Sequence, residues 1–304
     1  MAILVVVTLA IIIAIYLIKQ NIGKQIEKMA IRLDSLPYNY KNKYHSFMMG
    51  CQSILKFPKN KYNKPHKINK SATFCICVRD CEKYMKNSLT KLDNVCNLFR
   101  ESSVVFYENA SKDNSRQLLN DYCNGKPDKV LIYEDYDINQ YPRTVRLARG
   151  RNICLEIAKQ IGNEIYIVLD FDNVISDLDH TKVESSLMNN LNWDALFANQ
   201  SKNYYDFWAL RTYDQWLQFD WMDAIDLPLS IFLLNDKQRN IPNNQIIKVI
   251  SAFGGLGIYK LSKLRDCFYY GWKNNEESCE HVHLNKQLTN LGGQLFIDGN
   301  LINH

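Results

Sequence analysis

A mostly parallel α/β sheet with helices on both faces, preceded by a transmembrane helix, is the architecture this sequence predicts. Three observations predict it. Short apolar runs alternate with amphipathic stretches from residue 71 onward, an uncharged apolar run opens the chain, and 46% of the 304 residues are apolar, enough for a substantial core. The 37 Lys and Arg against 32 Asp and Glu leave a formal charge of +5, too balanced for a disordered polyelectrolyte. The expected division is an anchor over 1–20, a stem over 21–70 and a folded body over 71–304.

The anchor comes first. Ala2 to Ile18 is 17 residues without a charge, which as a helix spans about 26 Å, just enough for a hydrocarbon core. No basic stretch precedes it and no small-residue cleavage pattern follows, so an anchor fits better than a cleaved leader. Lys19, Lys24, Lys28 and Arg32 all lie on its C-terminal side, and cation excess marks the cytoplasmic flank. The body is therefore expected in the cytoplasm. Three glycosylation triplets beginning at Asn69, Asn109 and Asn199 leave a lumenal orientation open.

The stem is next. Between Ser35 and Val78 there is no acidic residue, while Lys41, Lys43, Lys56, Lys59, Lys61, Lys64, Lys67 and Lys70 accumulate. Such a segment is a solvated linker or a strip lying on anionic membrane lipid. Nucleic acid is not an expected partner, because aromatic residues do not alternate with these lysines as a stacking platform requires. Nine cysteines occur without CxxC pairs, so neither a zinc site nor a disulfide framework is expected, and a reducing compartment fits.

In the body, strands are expected at Thr73–Val78, Ser103–Tyr107, Lys129–Tyr133 and Glu164–Leu169, and helices at Glu82–Phe99, Asn114–Tyr122 and Thr144–Gln160. That β-α-β-α-β-α-β order implies parallel strands, whose ligands sit beyond their carboxyl ends. The residues there are Arg79 and Asp80, Glu108 and Asn109, Glu134 and Asp135, and Asp170 to Asp172. After Asp179 the pattern loosens into Trp- and Tyr-rich segments, followed by a strand over Ile246–Phe253 that runs into Gly254-Gly255.

Asp170 and Asp172 form a DxD triplet at the end of an apolar strand. Hard divalent ions take oxygen ligands, and Mg²⁺ or Mn²⁺ commonly accepts one or two carboxylates and lets a diphosphate complete the shell. The blander reading is a capping turn, since Asp favours strand-to-loop transitions. Arg143, Arg146 and Arg149, spaced by three, are expected to present a cationic band on their helix. Arg151 and Asn152 follow within reach of a donor sugar or its phosphates, where a planar guanidinium suits oxygen pairs.

Taken together, these motifs resemble GT-A-type glycosyltransferases, which have a Rossmann-like fold. The acidic turn Glu108–Ser115, the Arg-rich helix and the strand ending in Asp170-Phe171-Asp172 follow an order similar to that in fungal capsule-type α-1,3-mannosyltransferases, mannan-polymerase subunits and related enzymes of large DNA viruses. The resemblance continues through Trp193–Asn199, Tyr205–Arg211, Ser251–Leu256 and Cys279–Val282. It implies transfer of a hexose, mannose in the named relatives, from a GDP- or UDP-sugar to a glycan or glycoconjugate, assisted by Mn²⁺ or Mg²⁺. Arg79, Glu108, Asp113, Arg151, Asn152 and Asp170 are then expected on the donor side. Gly254, Gly255, Asp206 and Arg211 fall on the acceptor side, and Asp170, Asp172 and His281 around the metal. Glu280 is the expected base, with Asp172 the other residue expected to be catalytic.

Two rivals remain at the level of sequence. IVLDFDNVI also fits a haloacid-dehalogenase-like phosphatase with Asp170 as nucleophile and Asp172 as acid, although about a hundred folded residues precede that strand and the late strand QLFIDGN offers only Asp298. A non-catalytic nucleotide-sugar-binding relative is the other, although neither the carboxylate pair nor the late Glu-His is missing.

Overall fold

The computed structural model describes residues 66–134, 141–201, 204–213, 241–242, 244–273 and 276–303. The expected anchor and nearly all of the stem lie outside them. Among the described residues no helix is long and apolar enough to cross a membrane.

The alternation appears as β1 (Ile68–Val78), α1 (Glu82–Cys96), β2 (Phe99–Asn109), α2 (Ser115–Cys123), β3 (Lys129–Glu134), α3 (Arg143–Ile161) and β4 (Ile165–Leu169). β1 begins at Ile68, inside the segment read as stem. α1 stops at Cys96, and Phe99, read as its last residue, opens β2. The chain continues through α4 (His180–Met188), β5 (Ala195–Asn199), β6 (Arg211–Thr212), β7 (Ile246–Ser251), β8 (Leu256–Lys260), β9 (Trp272–Lys273), β10 (Glu276–Glu277), α5 (Glu280–Asn290) and β11 (Leu295–Ile302).

Nine strands form one sheet in the order β3-β2-β1-β4-β8-β5-β11-β7-β6. β3, β2, β1 and β4 are mutually parallel, as are β5 and β11, but β8 runs antiparallel between β4 and β5, and β7 antiparallel between β11 and β6. The mostly parallel sheet expected is thus a mixed one. β7 and β8 both run against β4, β5 and β11, and β8 is inserted between β4 and β5, so the later strands mix directions where the first four do not.

Helices cover both faces. Met85, Leu92 and Val95 of α1, Leu119 of α2 and Val183 of α4 pack with Phe74, Ile76 and Val78 of β1 on one side. Ile153, Cys154 and Ile157 of α3 and Val282, Leu284 and Leu288 of α5 pack with Cys75, Val105 and Tyr107 on the other. Strands covered on both faces need apolar residues at successive positions, which is why β4, IYIVL, is buried throughout. α3 starts after Pro142 and ends at Gly162, whose φ of 76° closes the helix in a left-handed turn.

Candidate active site

The ends of β1, β2 and β4 enclose a cleft of about 340 Å³ with the first half of α3. Its walls are Cys77 to Cys81, Asn109, the side chains of Arg143, Arg146 and Arg151, and Asp170 to Asp172. The turns after β1 and β2 are stitched together: the Asp80 N–H donates to Ser111 Oγ at 3.1 Å, and the Lys112 N–H donates to Asp80 Oδ1 at 2.6 Å. Asp80 and Ala110 both hold positive φ, 52° and 47°, backbone that costs a side-chain-bearing residue energy and that the paired turns keep in place.

Asp170 leaves β4 with its N–H donating to Gly255 O at 3.0 Å, and its Oδ1 accepts from Arg151 Nη2 at 3.1 Å. Burial pushes its carboxyl up to about 7; Arg151 opposes that shift, and Asp172, Asp206 and Glu280 add to it. Asp172 is exposed. One of its oxygens accepts the Val174 N–H at 2.9 Å, capping the short 3₁₀ turn Asn173–Ile175, so the capping role foreseen for it is real and uses half of its carboxylate. The other oxygen has no partner among the described residues.

Across the cleft stand the cations. Arg79 reaches Asn109 Oδ1 at 3.5 Å. The expected band of Arg143, Arg146 and Arg149 is split: Arg149 is buried, its Nε donating to Glu134 Oε2 at 2.8 Å, while Arg143, Arg146 and Arg151 line the cleft. At about 100° per residue, Arg149 lies a third of a turn from Arg143, whereas Arg146 and Arg151 flank it.

Glu280 and His281 lie at the start of α5, buried at 4% and 2% exposure, and neither lines the cleft. Arg151 stands between: its Nη1 contacts Glu280 Oε1 and His281 Nε2. Burial works against charge on this guanidinium, but Glu280 and Asp170 hold its pKa above the ordinary value. His281 stacks on Phe253 at 3.7 Å, and burial, with Arg151 and Arg143, drives its pKa well below the usual range. Arg151 can only donate, so the His281 nitrogen facing it, Nε2, is the one placed to accept. Arg151 thus occupies the approach from His281 to the carboxylates, where a shared metal had been expected.

Several other residues expected at the donor are turned elsewhere. Glu108 is fully buried, accepting the Ser111 N–H at 2.6 Å and pairing with Arg116 at 2.5 Å. Successive strand residues point to opposite faces, so Asn109, not Glu108, meets the cleft. Asp113 accepts the N–H groups of Glu82 and Ser115, both at 2.9 Å, and borders a separate open hollow with Arg116. Asn152 forms a reciprocal pair with the Tyr269 backbone, 2.8 Å each way.

On the far side of Asp170, Gly254 and Gly255 have φ of 64° and 83°. A Cβ on Gly254 would meet Ala198 O at 2.5 Å, and one on Gly255 would meet Val174 Cγ1 at 2.3 Å. The glycines are demanded by the protein's own packing. Asp206, whose carboxyl burial raises, accepts the Gly254 N–H at 3.0 Å. Arg211, 1% exposed, donates to the Trp208 and Leu210 carbonyls at 3.0 and 2.7 Å.

Among the described residues no three His, Cys, Asp or Glu side chains gather to hold a metal ion. Two carboxylates with unshared oxygens on one cleft wall nonetheless suit an ion whose shell a substrate phosphate and water complete, so Asp170 and Asp172 fit such an ion and His281 does not. Of the residues on the cleft walls, Arg143 and Arg146 were expected only as part of a cationic helix band, and Cys81 was not singled out by the sequence. The two arginines lie in the first turn of α3, the helix that follows β3.

No family model matches the chain, and no curated protein matches it. Solved structures that are similar in outline include TarS 1–349 of S. aureus, at TM-score 0.45 and 16% identity, covering 77% of this chain and 59% of that one. The mannosyltransferase PcManGT of Pyrobaculum calidifontis, solved with GDP-Man and Mn²⁺, aligns at 0.42 and 12% identity over 90% of this chain and 68% of that one. Glucosyl-3-phosphoglycerate synthase of Mycobacterium tuberculosis, solved with UDP, aligns at 0.38 and 10% over 72% and 64%. The chain therefore spans well under two thirds of the TarS fragment, and at TM-scores below 0.5 the chemistry of the cleft rests on its own residues.

Proposed function

We propose that this chain is a glycosyltransferase that moves a hexose from a nucleoside-diphosphate donor to a glycan or glycoconjugate hydroxyl. One observation carries the reading: within a single cleft beyond parallel strand ends, the carboxylates of Asp170 and Asp172 face Arg79, Arg143, Arg146 and Arg151. A diphosphate needs guanidinium groups, and the divalent ion that neutralises a departing diphosphate needs carboxylates; a donor with its ion asks for both at once. When bound, Mn²⁺ or Mg²⁺ would be held by Asp170 and Asp172 and would stabilise charge on the leaving group. The arginines orient the phosphates, and Arg79 with Asn109 closes the wall at β1 and β2. Gly254 and Gly255, with Asp206 and Arg211, shape the acceptor side by fixing the turn next to Asp170. Glu280 then serves by holding Arg151, and the carboxylates on the described cleft walls that face an incoming hydroxyl are Asp80, Asp170 and Asp172.

The same reading keeps the body on the cytoplasmic side of a membrane, tethered through Ala2–Ile18, with the lysine-rich stem along anionic lipid. The cations after the apolar run support it.

The test is release of nucleoside diphosphate from a panel of UDP- and GDP-sugars by the purified full chain with Mn²⁺. Slow hydrolysis of one donor, abolished by a chelator, is the expected result. Titration calorimetry with UDP and GDP, with and without Mn²⁺, separates an inactive relative, which binds without turnover. Failure of every nucleotide to bind removes the proposal, and metal-dependent release of phosphate from an aryl phosphate would favour the phosphatase.

A further inference from the structure

The cation now at these carboxylates is a side chain. Arg151, 4% exposed, touches Asp170, Glu280 and His281 and lies 5.0 Å over the Phe253 ring. Among the described residues no Lys or other Arg pairs with Asp170 or Glu280, and Asp172 has no ion pair. A divalent ion on Asp170 would sit within a few ångströms of this fixed positive charge, and the two repel.

We propose that Arg151 is a resident counter-cation. It holds Asp170 while no donor is bound, opposes a divalent ion there, and releases Asp170 to that ion when a diphosphate arrives to receive the guanidinium. The planar fork that grips a carboxylate grips two phosphate oxygens equally well, so the exchange needs only a rotation at the cleft wall. Metal and nucleoside diphosphate then strengthen each other's binding, by the same factor in both directions. The identity of the anion rests on the glycosyl-transfer reading; the competition between Arg151 and the metal does not.

The test counts free Mn²⁺ by electron paramagnetic resonance in the full chain, with and without UDP or GDP. For the wild type, Mn²⁺ affinity should rise about tenfold or more when one nucleotide is added. Arg151→Met should bind Mn²⁺ alone about tenfold more tightly than wild type, and Arg151→Lys, which keeps the charge, should not. Because Arg151→Met strands a buried Glu280, the double variant Arg151→Met/Glu280→Gln repeats the measurement without that unpaired charge, with circular dichroism reporting the fold. Mn²⁺ held by nucleotide-free wild type as tightly as by the double variant overturns the proposal, as does Mn²⁺ binding by none of the proteins. Tighter Mn²⁺ in both charge-removed variants, with no response to either nucleotide in any protein, supports the competition and removes the donor reading.

Discussion

Two polar pairs that the sequence put forward for catalysis or metal binding live in opposite surroundings. Asp170 and Asp172 end a strand at the open cleft, and each keeps an oxygen without a protein partner among the described residues. Glu280 and His281 begin a helix behind Arg151, where both are buried and committed to it. An acidic group at the front of a guanidinium is available to a ligand; one at its back anchors the inner edge while the outer edge keeps its choice of partner. The first pair should therefore govern turnover and the second stability.

The largest effect expected is on the buried pair. Glu280→Ala leaves Arg151 without its innermost partner and should destabilise the fold by about 3–5 kcal/mol, read from urea denaturation; a loss below 1 kcal/mol would break the contrast. Asp172→Ala should lower Mn²⁺-dependent donor hydrolysis roughly 100-fold or more while circular dichroism stays that of the wild type. Full activity in that variant rejects Asp172 as a metal ligand. Gly255→Ala combines a positive φ with contact on Val174, and a loss of about 1–3 kcal/mol is expected, with the melting temperature as readout.

The smallest effect separates the pairs by pH. With its folded pKa near 7, above the unfolded value, Asp170 takes up a proton more readily in the native state, so its contribution to stability falls as pH rises from about 4 to 7. Asp170→Asn should therefore gain melting temperature relative to wild type at pH 8, measured in chelator, and gain little at pH 4. His281 has the opposite sign: its folded pKa lies below the unfolded one, so stability is lost as pH falls through about 6.5, where the unfolded ring charges and the native one does not. A His281→Gln variant should flatten the acid side of the melting profile between pH 7 and 5.

Much of the first half of the body was legible in the sequence. Apolar runs such as IYIVL and the periodic Met85, Leu92 and Val95 are local signals, and they place β1 to β4 and α1 to α3 within a few residues. The second half was less so. β6, β9 and β10 are two residues each, and β8 is inserted antiparallel between β4 and β5; pairings of that kind depend on distant partners and leave no period behind. The glycosylation triplets make the same point at single residues. Asn109 and Asn199 are buried and donate to backbone carbonyls, whereas Asn69 is exposed.

By itself the sequence determined which polar residues stand at the strand ends, because hydrophobic periodicity fixes where a strand stops and what polar residue follows it. Asp170 and Asp172 are there for that reason. Only the tertiary structure decided which polar groups face the same space. Glu108 and Asn109 are neighbours in sequence and point to opposite sides of a sheet, while Arg151 and Glu280 are 129 positions apart and touch. Side-chain direction is set by the packing of both faces of the sheet, and that packing is a property of the whole chain.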